Sequence, residues 1–302
     1  MGSEAPDRRV ATPRPYADPI YAAAFGVNSL WVPEWGTPVL VRPIPETSDF
    51  DAIGCYPLAA LDPEANIKGG LARLGQAGLV SVVLVPDPLH SPALPVLEAG
   101  FPICRPYKTH FILDRSLPRR KLSVSHAHNI RLAKRACEVV AMPLQTILGE
   151  WIDLYRNLVR RQGIVGLANF SDGYFETLTR LEGLTTFVAL QDGEPVAASL
   201  WVRYGDSVYY HLTASSEKGY RTRAVFAIAA TAIDHFSDCA FVHFGGGAGT
   251  GNAADGLAYF KRGFANREML SYICGAVLAP ARYERLAAER SSNEFFPSYR
   301  TP

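Results

Sequence analysis

No stretch of the 302-residue sequence approaches the roughly 18 consecutive apolar residues that a membrane-spanning helix needs. The opening MGSEAPDRRVATPRP has acidic and proline residues where a signal peptide has its apolar run, so a cytoplasmic protein with no integral membrane association is expected. Cysteine is scarce. Cys55, Cys104, Cys137, Cys239 and Cys274 include no C-x-x-C pair and sit mostly in apolar text, which excludes a disulfide framework and reads as five reduced packing residues. His126 and His128 lie two apart in a basic segment, and His90, His110, His211, His235 and His243 are scattered without carboxylate or cysteine partners at ligand spacing, so no metal is expected. There is no G-x-S-x-G elbow and no Cys-His signature of a hydrolase. The glycines of FGGGAGTGNAADG are not followed directly by a long apolar helix, which excludes a nicotinamide fingerprint.

What is present is ordinary globular composition, 48% hydrophobic and 20% charged, in a chain long enough for two medium units. The net charge of +1 hides one local concentration: Arg115, Arg119, Arg120, Lys121, Arg131, Lys134 and Arg135 fall in one acid-free stretch. The rest of the chain is net acidic, so a polyanion would meet one patch. A solvated helix face is the equally weighted alternative.

After a disordered, charged and proline-rich tail (1–14), the first ordered element expected is a helix in YADPIYAAAFG capped by Asp18.

Strands are expected at Thr37–Pro43 and Asp51–Tyr56, a helix in IKGGLARLGQAGL, a buried strand in SVVLVPD, a short helix in LPVLEAG and a strand in THFILD. LSVSHAHNIRLAKRACEVV reads as a helix closing the first half, and an amphipathic helix from Leu144 to Arg161 opens the second. The second half reads as a helix capped by Ser171 or Asp172, three strands (TTFVALQ, PVAASLWVRY, SVYYHLTAS), a long apolar helix AVFAIAATAIDHF, the strand AFVHFGG, the helix DGLAYFKRGF and the strand REMLSYICG. The fold class expected is α/β (α+β): tandem units over 15–142 and 143–291, each a mixed, largely antiparallel sheet flanked by helices, with a tail at 292–302. An internal echo supports duplication, because Leu94, Leu97, Gly100 and Phe101 repeat the frame of Leu257, Phe260, Gly263 and Phe264. Glu98 then stands where Lys261 stands, so the chemistry is expected in the second half alone.

Three groups of residues could carry it. Gly219, Arg221 and Arg223 precede the long helix, where backbone N–H groups, helix dipole and guanidinium groups suit a phosphate. The alternative there is a plain turn with solvated arginines. Gly246 and Gly247 let the chain pass close to a ligand, and Asp255 caps the helix that carries Lys261 and Phe264. Alternation on SVYYHLTAS puts Tyr209 and His211 on one face and Tyr210 on the other, and does not decide which faces a cleft.

FGGG followed by DGLAYFKRGF resembles the C-terminal signature of the Fem-type aminoacyltransferases and related FemAB-like GNAT proteins, and NIRLAKRA resembles the Asn-Ile-Arg helix between their halves. The resemblance implies two GNAT-like domains over roughly residues 16 to 290. It also implies transfer of an aminoacyl group from aminoacyl-tRNA, or an acyl group from acyl-CoA, to the amine of a small molecule or cell-wall precursor, with no cofactor. Lys261 matches the lysine associated with the reacting carbonyl, where an ammonium stabilises the developing oxyanion. Tyr210, His211 or Asp255 would take the amine's proton unless the substrate assists itself. Gly219, Arg221, Arg223, Gly246, Gly247 and Phe264 would bind the donor, and Arg119, Arg120, Lys121, Arg131 and Lys134 would bind tRNA. The chain lacks the long charged helical hairpin of some cell-wall Fem enzymes, which favours a smaller acceptor. A catalytically silent binding protein is the reading from another class.

Overall fold

The computed structural model describes residues 14–118, 120–248, 256–288 and 295–300. After helix α1 (Pro19–Ala24), whose first N–H groups are met by the Asp18 carboxylate at 2.7 Å from Ile20 N, strands β1 (Ser29–Val32), β2 (Thr37–Pro43) and β3 (Phe50–Gly54) form an antiparallel meander. Helix α2 (Ile67–Gln76) returns the chain to β4 (Ser81–Leu84), parallel to β3. Helix α3 (Leu94–Gly100) and strand β5 (Ile103–Asp114) follow.

The sequence from 122 to 140, expected to be one helix, is divided between α4 (Val124–Ala136) and a strand, β6 (Glu138–Met142). The β-branched pair Val139-Val140 suits a pleated edge better than a helix. Strand β6 pairs with β7 (Leu184–Gln191), so the expected boundary at 142/143 falls between two hydrogen-bonded strands. Between them lie α5 (Leu148–Gln162), entered through a 3-10 turn at 144–147, and α6 (Asp172–Leu178), capped by Ser171. Strands β8 (Glu194–Tyr204) and β9 (Ser207–Ser215) complete a second meander. Its first turn, Asp192-Gly193, has positive φ at both residues, as a tight hairpin requires.

The segment KGYRTR forms a helical turn, α7 (Glu217–Thr222), leading into α8 (Ala224–His235). Strand β10 (Phe241–Gly246), helix α9 (Gly256–Phe264), strand β11 (Arg267–Val277) and helix α10 (Pro280–Ala287) follow.

All the strands of the described residues lie in one mixed, mostly antiparallel sheet of eleven, ordered β1-β2-β3-β4-β11-β5-β10-β9-β8-β7-β6. The order is palindromic about the β11–β5 pair: β3 and β4 are parallel and joined through α2, β9 and β10 are parallel and joined through α8. The strand after α3, β5, pairs beside β10, and the strand after α9, β11, pairs beside β4. Each half has lent its last strand to the other. The echo extends to packing, since Gly100 lies so close to Ile67 that an added Cβ would stand 2.6 Å from it, and Gly263 would meet His126 at 1.8 Å.

One face of the second meander packs on α1, α5 and α6 through Tyr16, Tyr21, Trp151, Tyr174, Phe175 and Leu200. The opposite face packs on α8 and α9 through Phe187, Trp201, Ile228, Phe244, Phe260 and Phe264. Tyr209 belongs to the first core and Val208 and Tyr210 to the second, but the alternation breaks at the register shift beyond Tyr210, where Leu212 packs on the first core instead of on the side of Tyr210. Residues 295–300, expected in a terminal tail, are docked on the first half. Tyr299 is buried and bonds Ser81 at 2.7 Å, while Arg300 holds the fully buried Asp51 at 2.9 Å.

Candidate active site

The palindromic sheet has an opening in its second half. Strands β9 and β10 pair from Ser207↔Phe241 to Tyr209↔His243 and then part. Strand β9 continues beside β8, whereas β10 shifts register after His243 and reaches His110 of β5 with Gly246. Gly245, in the left-handed region at φ 74°, makes that departure, and a Cβ there would sit 3.4 Å from the Lys261 ammonium.

Lys261 fills the gap from the side covered by α9. The helix is pinned by Phe260 and Phe264, which pack on Phe226 and on one another at centroid distances of 5.0 and 5.2 Å. That burial carries the adjacent lysine inward to 7% exposure. Its Nζ donates to Gly246 O at 2.6 Å and stands 5.6 Å from the centre of the Tyr210 ring. Lys261, Tyr210 and Gly246 are therefore brought together. Burial pushes the Tyr210 phenol well above its usual range, so it holds its proton and serves poorly as a base.

Three further groups that sequence reasoning passed over line the other side of the opening. His243 accepts from Gly245 N at 3.2 Å through Nδ1, and its Nε2 lies 3.3 Å from His110 Nδ1. Burial, then the neighbouring Lys261 ammonium, drives His110 down to about 3, and burial followed by His110 and Lys261 drives His243 well below the usual imidazole range. Both rings are neutral at neutral pH. The His243 ring packs 5.0 Å from Tyr209, whose hydroxyl donates to the buried carboxylate of Asp87. Asp87 also lines a cleft of about 370 Å³ with Ser91, Leu94, Leu97, Met269 and Tyr272. Burial raises the Asp87 carboxyl against the lowering effect of its Tyr209 bond. The one signal for this group was His243 directly before the Gly-rich tract; His110 and Asp87 come from the other half of the sequence.

His211 is not part of this group. It lies on the opposite face of β9 from Tyr210, where its Nδ1 is 3.3 Å from Tyr16 Oη and its Nε2 3.1 Å from Tyr174 Oη. The Tyr174 hydroxyl donates to Tyr21, which donates to Tyr56 O, so the imidazole donates from Nε2 and accepts at Nδ1. Both nitrogens are satisfied, and burial lowers the ring's pKa to about 3. The structure thus places His211 in the tyrosine cluster of the first core, apart from Lys261 and Gly246.

The donor-binding candidates divide similarly. Gly219 packs against β8, where a Cβ would approach Val196 O to 2.2 Å, so the helix–sheet contact itself requires a glycine there. Arg221 and Arg223 are exposed; Arg223 donates to Asn129 at 2.6 Å, and no side chain caps the start of α8. Gly247 follows β10 directly, and Phe264 is a core residue. Arg120, Lys121, Arg131 and Lys134 are exposed on α4 and the chain leading into it, and Arg120 and Lys134 border a cavity of about 200 Å³ beside Ile233 and Asp234. Arg115 is instead engaged at the end of α8, donating to Ile233 O at 2.9 Å and Cys239 O at 2.8 Å. Arg119 and Asp255 lie outside the described residues. Among the described residues no group of His, Cys, Asp and Glu is arranged to hold a metal ion, and no helix is long and apolar enough to cross a membrane.

A family model of the acetyltransferase (GNAT) domain matches residues 119–262, the region that holds β7 to β10, α8 and Lys261. Among solved structures the chain is similar to the C-terminal domain of a putative lysylphosphatidylglycerol synthetase from Agrobacterium fabrum, at 10% identity over 92% of both chains with a TM-score of 0.63. It is also similar to FemX, at 13% identity over 82% of this chain and 86% of that one, TM-score 0.59. L-PGS from Bacillus licheniformis shows 14% identity over 85% and 91%, TM-score 0.57. At such identities the likeness is one of fold. No curated protein matches the sequence.

Proposed function

We propose that this chain is an N-acyltransferase of the GNAT superfamily, in its Fem-like form, that moves an aminoacyl group from aminoacyl-tRNA to the amine of a small molecule. The observation that carries the reading is the Lys261 ammonium, buried at the point where two parallel strands part. An amine attacking an ester carbonyl forms a C–N bond and places negative charge on the carbonyl oxygen. An ammonium held in a partly dry gap lowers the cost of that charge. Collapse breaks the ester C–O bond, and the leaving hydroxyl takes the proton that the amine gives up. Neither Tyr210 nor His211 is suited to hold that proton, which favours its direct passage between the substrates.

Two observations support the donor and acceptor. The exposed basic residues of α4 lie within the GNAT-matched region and suit a polyanion. The cleft beside Asp87 offers an apolar wall with a buried carboxylate, chemistry that fits an amine-bearing molecule. The name of one structural neighbour, lysylphosphatidylglycerol synthetase, describes an aminoacylated product and is consistent with an aminoacyl donor. Acyl-CoA is the second reading, favoured by the uncapped start of α8 with Arg221 and Arg223 exposed beside it.

The test is a transfer assay with the purified protein, radiolabelled aminoacyl-tRNAs in one arm, acyl-CoAs in the other, and cell extract as the source of acceptors. Label passing from tRNA into a small RNase-resistant product is expected. Label passing only from CoA would establish the second reading, and transfer from neither would overturn both.

A further inference from the structure

The histidine pair at the opening has a defined hydrogen-bond direction. The backbone N–H of Gly245 can only donate, so His243 Nδ1, 3.2 Å away, is its acceptor and carries no proton. A neutral His243 therefore bears its hydrogen on Nε2 and donates it to His110 Nδ1 at 3.3 Å. His110, neutral for the same reasons of burial and proximity to Lys261, must then bear its own hydrogen on Nε2. That nitrogen has no hydrogen-bond partner among the described residues and is not among the fully enclosed polar atoms. His110 is the register partner of Gly246, the residue whose carbonyl accepts from Lys261 Nζ at 2.6 Å. One backbone position thus lies between the two groups, with the ammonium approaching the opening from the side of α9 and the imidazole from the side of Tyr209.

We propose that His110 is a second donor to the carbonyl oxygen of the acyl group, acting beside Lys261, and that His243 is a positioning residue that fixes the His110 tautomer. The inference rests on the acyl-transfer reading. A neutral N–H complements the ammonium because it adds directional donation without a second positive charge, which a protonated imidazole beside Lys261 would bring. Because β5 belongs to the first half and β10 to the second, the strand exchange gives the first half a group in the site despite the exposed Glu98 at the position equivalent to Lys261.

Histidine side-chain nitrogen NMR on the full-length protein reads the direction without any assay: both His110 and His243 should appear as neutral Nε2–H tautomers. An Nδ1–H tautomer at His110 would overturn the proposal whatever the protein's activity. A stable phosphonate analogue of an aminoacyl ester should shift the His110 Nε2 resonance and leave His211 unmoved; a shift at neither, with the analogue bound, would also overturn it. In the transfer assay, His110→Asn is expected to lower kcat about 100-fold with KM little changed, and His110→Gln, whose amide nitrogen falls near the place of Nε2, to restore most of it. Equal losses in the two variants at equal thermal stability would reduce His110 to a packing residue. Failure of wild-type transfer from both donor pools bears on the functional reading, while the tautomer and phosphonate measurements still judge the hydrogen-bond arrangement.

Discussion

Lys261 and His211 were given comparable parts in the sequence reading, and their surroundings separate them. Lys261→Ala removes the ammonium that bonds Gly246 O at the strand opening and should lower kcat by about 100- to 1000-fold, with the thermal midpoint nearly kept; loss of less than tenfold would remove the lysine from the chemistry. The buried imidazoles make a separate prediction about stability. His110 and His211 are held down to about 3 and His243 also lies well below its usual value, whereas all three titrate near 6.5 in the unfolded chain. Below that pH the unfolded state takes up protons that the folded state refuses. Stability is therefore full above about pH 6.5 and falls as pH falls, by up to about 1.4 kcal/mol per pH unit for each histidine. The raised carboxyl of Asp87 acts in the opposite sense and offsets part of the loss. Urea unfolding at pH 7.5, 6.5 and 5.5 checks this, and a midpoint that does not decline would contradict the neutral state of the rings. The sequence made Lys261 legible because it stands in a motif with regular apolar neighbours. His110 and Asp87 were invisible because their significance arises only when β5 and the β4 loop are laid beside β10 and β9.

Among the elements, regular periodicity translated well. The apolar helix α8, the three-strand meander β7 to β9 and the capped helices α1 and α6 all form where alternation, helical period and cap residues placed them. Two stretches of strand went unread: β1, of four residues, and the first part of β5, which runs through Pro106, opposite Tyr272 where the ladder shifts register. Gly219 shows how one residue type can mislead, since a phosphate-loop glycine and a packing glycine read alike in sequence. Gly219→Ala should destabilise the protein by roughly 1–3 kcal/mol through its clash with Val196 O, with acyl-CoA present or absent; a stable variant with selectively weakened CoA binding would restore the ligand role. Helix α4 carries the remaining electrostatic question. Replacing Arg131, Lys134 and Arg135 by alanine should weaken tRNA binding and reduce the slope of log affinity against log salt by up to about 3, while leaving the fold intact. An unchanged slope in filter binding would make the helix an ordinary solvated face.

For the whole molecule, the C-terminal residues 295–300 act as a clasp on the first half. Asp51 is fully buried and its carboxylate accepts from Arg42, Arg300 and Tyr299, so Asp51→Ala leaves two guanidinium groups without their shared partner. A loss of about 3–5 kcal/mol is expected, and removal of residues 295–302 should produce a related but smaller loss; unfolding curves that match wild type would deny the clasp any energetic part. The exchange of β5 and β11 has a consequence in time as well as in space. During synthesis β4 emerges nearly two hundred residues before the strand that covers its edge, since β4 ends at Leu84 and β11 begins at Arg267. The amino-terminal meander must wait on the ribosome with an uncovered edge, and its completion is simultaneous with the arrival of the helix that bears Lys261. The sheet is thus closed late, and a chain interrupted before β11 leaves the edges of β4 and β5 that face that strand unpaired.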